Sequence, residues 1–332
     1  MTDTAAAEAF WIIGPARGEI RETPLFQFGS AGPETVEVET LYSAISRGTE
    51  SLVFHDRIPK SEFQRMRAPF QAGGFPYPVC YGYANVGRVL SGPAHLVGKT
   101  VFSLFPHQTR YRVPADAVTV LPEGVPPERA VLAANMETAV NSLWDAEPGI
   151  GDRIAIIGCG VVGSLVAWLA SRIPGVRVTA IDTDPAREPV LAALGLDLVS
   201  QPEEAGYDLV IHASGQPGGL KAALELAGQE ARIVEMSWFG NREVSLPLGE
   251  AFHARRLTIR SSQVGGINPI RNPRWGYSRR LALALSLLDE PALDSLISGE
   301  SAFEDLPETM ARVCQPGSGE LCHRVVYPAA RR

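Results

Sequence analysis

The chain has 332 residues, 45% of them apolar and 20% charged, with a formal net charge of −7 at pH 7. This balance argues against a nucleic-acid partner, which calls for a basic face, and no stretch reaches the roughly 18 uncharged apolar residues of a membrane-spanning helix. The length predicts about two domains, each able to bury a core.

The first 135 or so residues read as β-rich and irregular. Thr35 to Tyr42 alternates like a half-buried strand, and Asn85 to Leu90 and Thr100 to Phe105 read as short strands. Glycine and proline interrupt throughout (Gly73, Gly74, Pro76, Pro78, Gly82, Gly92, Pro93, Gly98), which predicts a small barrel with long loops. Near Asn135 the texture changes. Met136 to Asp145 reads as a helix, Arg153 to Ile157 as a strand continuously apolar after its first residue and Val161 to Ile173 as a helix. Further strands are expected at Val176 to Ile181, Asp197 to Ser200, Leu209 to His212, Arg232 to Met236 and Leu257 to Arg260, and helices at Pro185 to Leu194 and Leu220 to Ala227. Repeated βα units of this kind imply a doubly wound parallel sheet, a Rossmann-type α/β fold. After Gly265 come a loop, an amphipathic helix over Tyr277 to Leu288 and a strand-like Arg324 to Tyr327.

The sharpest motif is Gly158-Cys159-Gly160-Val161-Val162-Gly163, which fits G-x-G-x-x-G. It follows the apolar strand, opens the next helix, and has Asp182 at the end of the following strand, 19 residues beyond Gly163. Gly158 permits the tight turn, Gly160 lets a diphosphate approach the backbone, and Gly163 lets the helix pack on the strand. The N–H groups and dipole at Val161 and Val162 face the phosphates. Asp182 is expected to accept from the adenosine ribose and to repel a 2′-phosphate, so NAD(H) is favoured over NADP(H). Arg187 stands where it can steady the adenosine end or tolerate a 2′-phosphate. Two later strand ends, carrying Ser214 and Gly215 and then Ser237 and Trp238, are candidates to floor the nicotinamide side.

With these motifs assembled, the layout resembles the medium-chain dehydrogenase/reductase superfamily, the alcohol dehydrogenase relatives. The resemblance covers nearly the whole chain through Tyr42 to Glu50 (YSAISRGTE), Gly82 to Val89 (GYANVGRV), Arg112 to Pro122 and the fingerprint. The run from Tyr42 followed by the Gly82-Tyr83 segment is most similar to the branch of bacteriochlorophyllide-type hydroxyethyl dehydrogenases. The resemblance implies a GroES-like β-barrel catalytic domain over residues 1–135, an NAD-binding Rossmann domain over 136–264, and a return to the catalytic domain over 265–332. It also implies a homodimer pairing the last Rossmann strand, near Leu257 to Ser262.

The resemblance breaks at the metal. Zinc members carry a Cys where this chain has Ser46, a His-Glu pair where it has Tyr83-Ala84, and a Cys or Glu where it has Asn135. Hydroxyls and an amide are poor zinc ligands beside thiolate, imidazole and carboxylate. The four lobe cysteines are missing too. A zinc-free member is therefore expected, with Glu50, His55, His107 and Glu137 the only alternative ligands.

Without a metal, a hydrogen-bond donor must address the substrate oxygen. Tyr83 is the leading donor, with Ser46 supporting it and Thr49 placed to relay protons onward. His107, in a polar turn, and Glu137, near the domain junction, are further catalytic candidates. Glu137 reads equally as a helix acid favoured by the dipole, and His212 as a packing residue. The insertion from Phe54 to Pro78 (Arg57, Lys60, Arg65 and Arg67 among Phe63, Phe70 and Phe75) and the Arg271/Arg274/Trp275 loop can form a lid for a small-molecule substrate that is anionic or aromatic. The expected activity is interconversion of a secondary alcohol and a carbonyl compound. A reductase of enone double bonds and a nicotinamide-binding sensor or structural protein with little turnover stand as alternatives. Four scattered cysteines without a C-x-x-C pair, and an N-terminus without a basic or long apolar stretch, fit a cytoplasmic protein.

Overall fold

A computed structural model describes residues 6–25 and 34–331. The chain forms two compact units, one of Met1–Ala134 with Leu285–Arg332 and the other of Asn135–Ala284. Among the described residues no helix is long and apolar enough to cross a membrane.

The second unit is a six-stranded parallel sheet in the order Leu198–Val199, Arg177–Ile181, Arg153–Ile157, Tyr207–His212, Ala227–Glu235, Thr258–Ser261. The central strand Arg153–Ile157 has its last four residues buried, as a strand covered on both faces requires. Chain order departs from spatial order beside it, so the strand ends on either side diverge into a crevice, the usual ligand position of such sheets. The helix Val161–Ala170 stops short of the expected Ile173, because Ser171 bonds back to the Trp168 carbonyl and Pro174-Gly175 follow. Pro185 to Leu194, expected as one helix, is a 3-10 turn Pro185–Arg187 and a helix Glu188–Ala193. Pro189 has no N–H to give an i−4 carbonyl, so the α ladder cannot run back through it.

Among the described residues the first unit holds two sheets, one antiparallel and one mixed. One orders Arg17–Pro24, Ala6–Gly14, Val79–Cys80 and Ala72–Gly73. The other has seven strands, with Thr35–Ile45 lying between Cys322–Val326 and Asn85–Ser91 and also pairing Arg110–Pro114. Thr35–Ile45 is buried over most of its length rather than on alternate residues, because partners cover it on every side. Glu37 is tolerated in that strand because Arg110 and Arg112 both bind its carboxylate. These sheets with the parallel sheet of the second unit make the α/β fold a Rossmann domain plus a GroES-like β domain.

Residues 265–284, expected to open the return, pack instead in the second unit. Arg280 is 2% exposed and binds Glu137, Asn141 and the carbonyls of Val264 and Gly266. Asn268 donates to the Trp144 carbonyl, and Trp275 lies against Trp144 at 4.9 Å between ring centroids.

Candidate active site

The fingerprint loop is shaped by three glycines with different constraints. Gly158 has φ of +99°, and a Cβ there would fall 2.5 Å from the Ser214 backbone. A Cβ on Gly163 would fall 1.8 Å from the Gly158 carbonyl oxygen, so only glycine lets the helix start this close. A Cβ on Gly160 would meet nothing within 4 Å. Glycine at 160 is thus not demanded by the protein's own packing; it keeps open a space over the helix N-terminus at Val161 and Val162, where no side chain caps the backbone. The cradle fits a dinucleotide diphosphate.

Asp182 ends the neighbouring strand and is partly buried. One carboxylate oxygen accepts from the Cys159 N–H at 2.7 Å and the other from the Asp184 N–H at 2.9 Å. The acid therefore ties its strand end to the fingerprint, and each oxygen retains a lone pair for a further donor. Arg187 is buried and paired with Asp184 at 3.2 Å. Cys159 lies inside the loop, and burial, with the nearby Asp182 charge, pushes its thiol up to about 12, which leaves it unreactive. On the far side of the sheet's crevice, Gly215 N–H donates to the Ser237 hydroxyl at 3.0 Å. Trp238 is half-buried just beyond Ser237.

The first unit gathers a hydroxyl cluster. Ser46 precedes the helix Arg47–Phe54, on which Thr49 sits, and Tyr83 comes from the segment between Cys80 and Asn85. The Ser46 and Thr49 side chains stand beside the Tyr83 phenol and favour its charged form as hydrogen-bonding partners. Burial, followed by the Glu50 charge, pushes the Tyr83 phenol up to about 12 against the pull of those two hydrogen bonds. At neutral pH Tyr83 is an O–H donor and not a base.

Behind the cluster runs a buried polar chain. Glu50 accepts from the Ser46 N–H at 2.7 Å with one oxygen and meets His107 Nε2 at 2.9 Å with the other. His107 Nδ1 lies 2.7 Å from the Ser43 hydroxyl, which lies 3.0 Å from Tyr327 Oη. Glu50, His107, Ser43 and Tyr327 are all buried. His107, a candidate acid or base by sequence, thus has both ring nitrogens engaged and abuts Gly82, where a Cβ would come within 2.9 Å of its ring. Glu50 and Ser43 were not singled out for such a role; the spacing of Ser46 and Glu50, four apart at a helix start, was the available signal.

Two other expectations are corrected. Glu137 is not an open acid: it lies in the helix Ala133–Ala146, is 4% exposed and is bound by Arg280 at 3.0 Å. Burial raises its carboxyl while Arg280 pulls it back. Arg271 and Arg274 line one cavity with Leu143, Trp144, Glu147 and Ile173, and Trp275 lies against Trp144; these segments lead into the strands' amino ends, away from the fingerprint at their carboxyl ends. The Phe54 to Pro78 insertion does approach the hydroxyl cluster. Phe63 lies 5.7 Å from Phe75, Phe75 5.8 Å from Tyr81, and Tyr81 6.1 Å from Tyr83, ring to ring. Arg65 pairs with Glu62, and Arg67 donates to the carbonyls of Gln71 and Gly73.

For zinc, the donor set is a poor match. Ser46 and Tyr83 offer neutral hydroxyls, and Glu50 and His107 are spent on each other. No group of three or more His, Cys, Asp or Glu able to hold a metal ion occurs among the described residues.

No family model matches the chain. Among curated proteins it is similar to the L-threonine 3-dehydrogenase of Bacillus licheniformis, 25% identical over 139 residues, 38% of this chain and 40% of that one. It is also similar to the 2-desacetyl-2-hydroxyethyl bacteriochlorophyllide A dehydrogenase of Rhodobacter capsulatus, 26% identical over 239 residues, 67% of this chain and 69% of that one. The chain thus spans about two fifths of the first relative's length and about two thirds of the second's. In fold it matches a short chain alcohol dehydrogenase of E. coli CFT073 complexed with NADH, at a TM-score of 0.76 and 17% identity over 97% of this chain and 99% of that one. The curated relatives and the fold neighbours point to the alcohol dehydrogenase-like, medium-chain dehydrogenase/reductase family.

Proposed function

We propose that this chain is an NAD(H)-dependent oxidoreductase that interconverts a secondary alcohol and a carbonyl compound without zinc. The observation that carries the reading is the open space at Gly160 over an uncapped helix N-terminus, in a loop whose other two glycines are fixed by close contacts. The carboxylate at Asp182 favours a free ribose over a 2′-phosphate. The NADH in the E. coli fold neighbour supports a nicotinamide.

A bound nicotinamide supplies or accepts the hydride. Tyr83 does the work a Lewis acid does elsewhere: its O–H donates to the substrate oxygen and stabilises negative charge as it develops there. Ser46 and Thr49 beside the phenol favour its charged form, which makes it a better proton donor to that oxygen. The aromatic run Phe63, Phe75, Tyr81 and Tyr83 favours a substrate with an apolar or aromatic body beside the reacting carbon. We also assign a homodimer through the edge strand Thr258–Ser261, which among the described residues pairs on one side only.

The test is NADH consumption against a panel of alkyl and aryl ketones and enones, with NAD reduction by secondary alcohols in the other direction. Turnover on ketones and alcohols supports the reading. Consumption with enones alone replaces it with double-bond reduction, and tight NADH binding with silence across the panel replaces it with a sensor. Stoichiometric zinc in active protein overturns the metal-free chemistry.

A further inference from the structure

His212 ends the strand Tyr207–His212, Glu235 ends its parallel neighbour Ala227–Glu235, and the register sets the two directly side by side. His212 Nδ1 lies 2.6 Å from one Glu235 oxygen, and the other accepts from the Ser237 N–H at 2.6 Å. His212 Nε2 lies 2.6 Å from the Ser214 hydroxyl, which also accepts from the Gln216 N–H at 3.1 Å. His212 is fully buried and Ser214 half-buried. The backbone is cut to fit this array. A Cβ on Gly219 would fall 2.6 Å from His212 Nε2 and 2.5 Å from Ser214 Oγ, and one on Gly158 would fall 2.5 Å from Ser214 Cα.

A carboxylate only accepts, so Nδ1 donates to Glu235; in the neutral imidazole Nε2 then accepts from the Ser214 hydroxyl. The Ser214 oxygen is then left as an acceptor, with one lone pair occupied by Gln216 and one over. A buried carboxylate–imidazole pair adds little stability compared with apolar residues of the same volume. Its return is orientation: the pair sets which way Ser214 faces beside the first fingerprint glycine.

We propose that His212 and Glu235 are positioning residues that aim Ser214 as an acceptor at a hydroxyl of the dinucleotide's nicotinamide-side ribose. The inference rests on the dinucleotide reading above. An acceptor suits a ribose hydroxyl and not an anionic phosphate, and the adenosine ribose is already served by Asp182 in that reading.

The test is a set of direct binding titrations with NADH, ADP-ribose and AMP on the full chain, using wild type, Ser214→Ala, Glu235→Gln and the double variant. The expected result is a loss of about 10-fold for NADH and ADP-ribose in Ser214→Ala, with AMP, which lacks the second ribose, unchanged. Glu235→Gln should lose part of that, and the double variant no more than Ser214→Ala alone, because the pair acts through the serine. Equal NADH affinity in Ser214→Ala overturns the proposal. So does an equal loss for AMP, or losses that add in the double variant, since both signal general damage to the domain. If Glu235→Gln fails to fold, the Ser214→Ala comparison of AMP with ADP-ribose decides alone. Wild type that binds none of the three ligands sinks the dinucleotide reading itself, a result distinct from the others.

Discussion

The fingerprint loop and the hydroxyl cluster are built in opposite ways. Around Gly158, Gly160 and Gly163 the useful groups are backbone N–H groups and empty space, and side chains matter mainly by being absent. Around Tyr83 the useful groups are all side chains, held by a buried second layer of Glu50, His107, Ser43 and Tyr327. A site made of backbone fails when something is added, whereas one made of side chains fails when something is removed.

The contrast can be broken first at the glycines. Gly163→Ala should abolish NADH binding and visibly lower the melting temperature, because its Cβ would overlap the Gly158 carbonyl. Gly160→Ala should leave the melting temperature unchanged and still weaken NADH at least about 10-fold, since its Cβ meets only the space kept for the diphosphate. Equal behaviour of the two variants would remove the distinction between a glycine required for packing and one required for a ligand.

The next largest effect belongs to the phenol. Tyr83→Phe should cut turnover about 10²- to 10³-fold with NADH affinity unchanged, measured by steady-state kinetics beside direct titration. A comparable loss in affinity would show that Tyr83 shapes the protein more than the reaction.

Glu50→Ala tests the second layer. It leaves a buried His107 nitrogen and the Ser46 N–H without their partner, and a stability loss of about 1–3 kcal/mol is expected in denaturant unfolding. A neutral result would mean that the buried chain does not support the cluster.

The smallest effect is spectroscopic. The Tyr83 phenol should ionise near 12, absent from Tyr83→Phe in an ultraviolet pH titration. Its folded pKa lies above the ordinary 10.0, so the associated stability is fully present below pH 10 and is lost as pH rises toward 12. Ionisation at the ordinary value would contradict a buried donor.

The same contrast explains what was legible in the sequence. Backbone sites are written locally. The strand Arg153–Ile157, the glycines after it and Asp182 at the next strand end sit within 30 residues of one another, and the strand spans the residues expected of it. Side-chain sites are written across the chain. Ser46, Thr49 and Tyr83 come together by their motifs, but Tyr327 reaches Ser43 only because Thr35–Ile45 pairs with Cys322–Val326 from the far end of the sequence, and His107 lies 64 residues from Ser43. The hairpin Ala6–Gly14 with Arg17–Pro24 carries little sequence signal, since its second strand alternates charged residues with little apolar pattern. Glu137 was misjudged because its partner, Arg280, lies 143 residues away in a segment assigned to the other domain.

The most direct test of the central claim is calorimetric titration of NADH into wild type and Gly160→Ala, with melting curves on both. Saturable one-to-one binding to wild type, weakened at least about 10-fold in a variant of unchanged melting temperature, is the predicted result. No saturable binding to wild type, or equal affinity in both proteins, would contradict it.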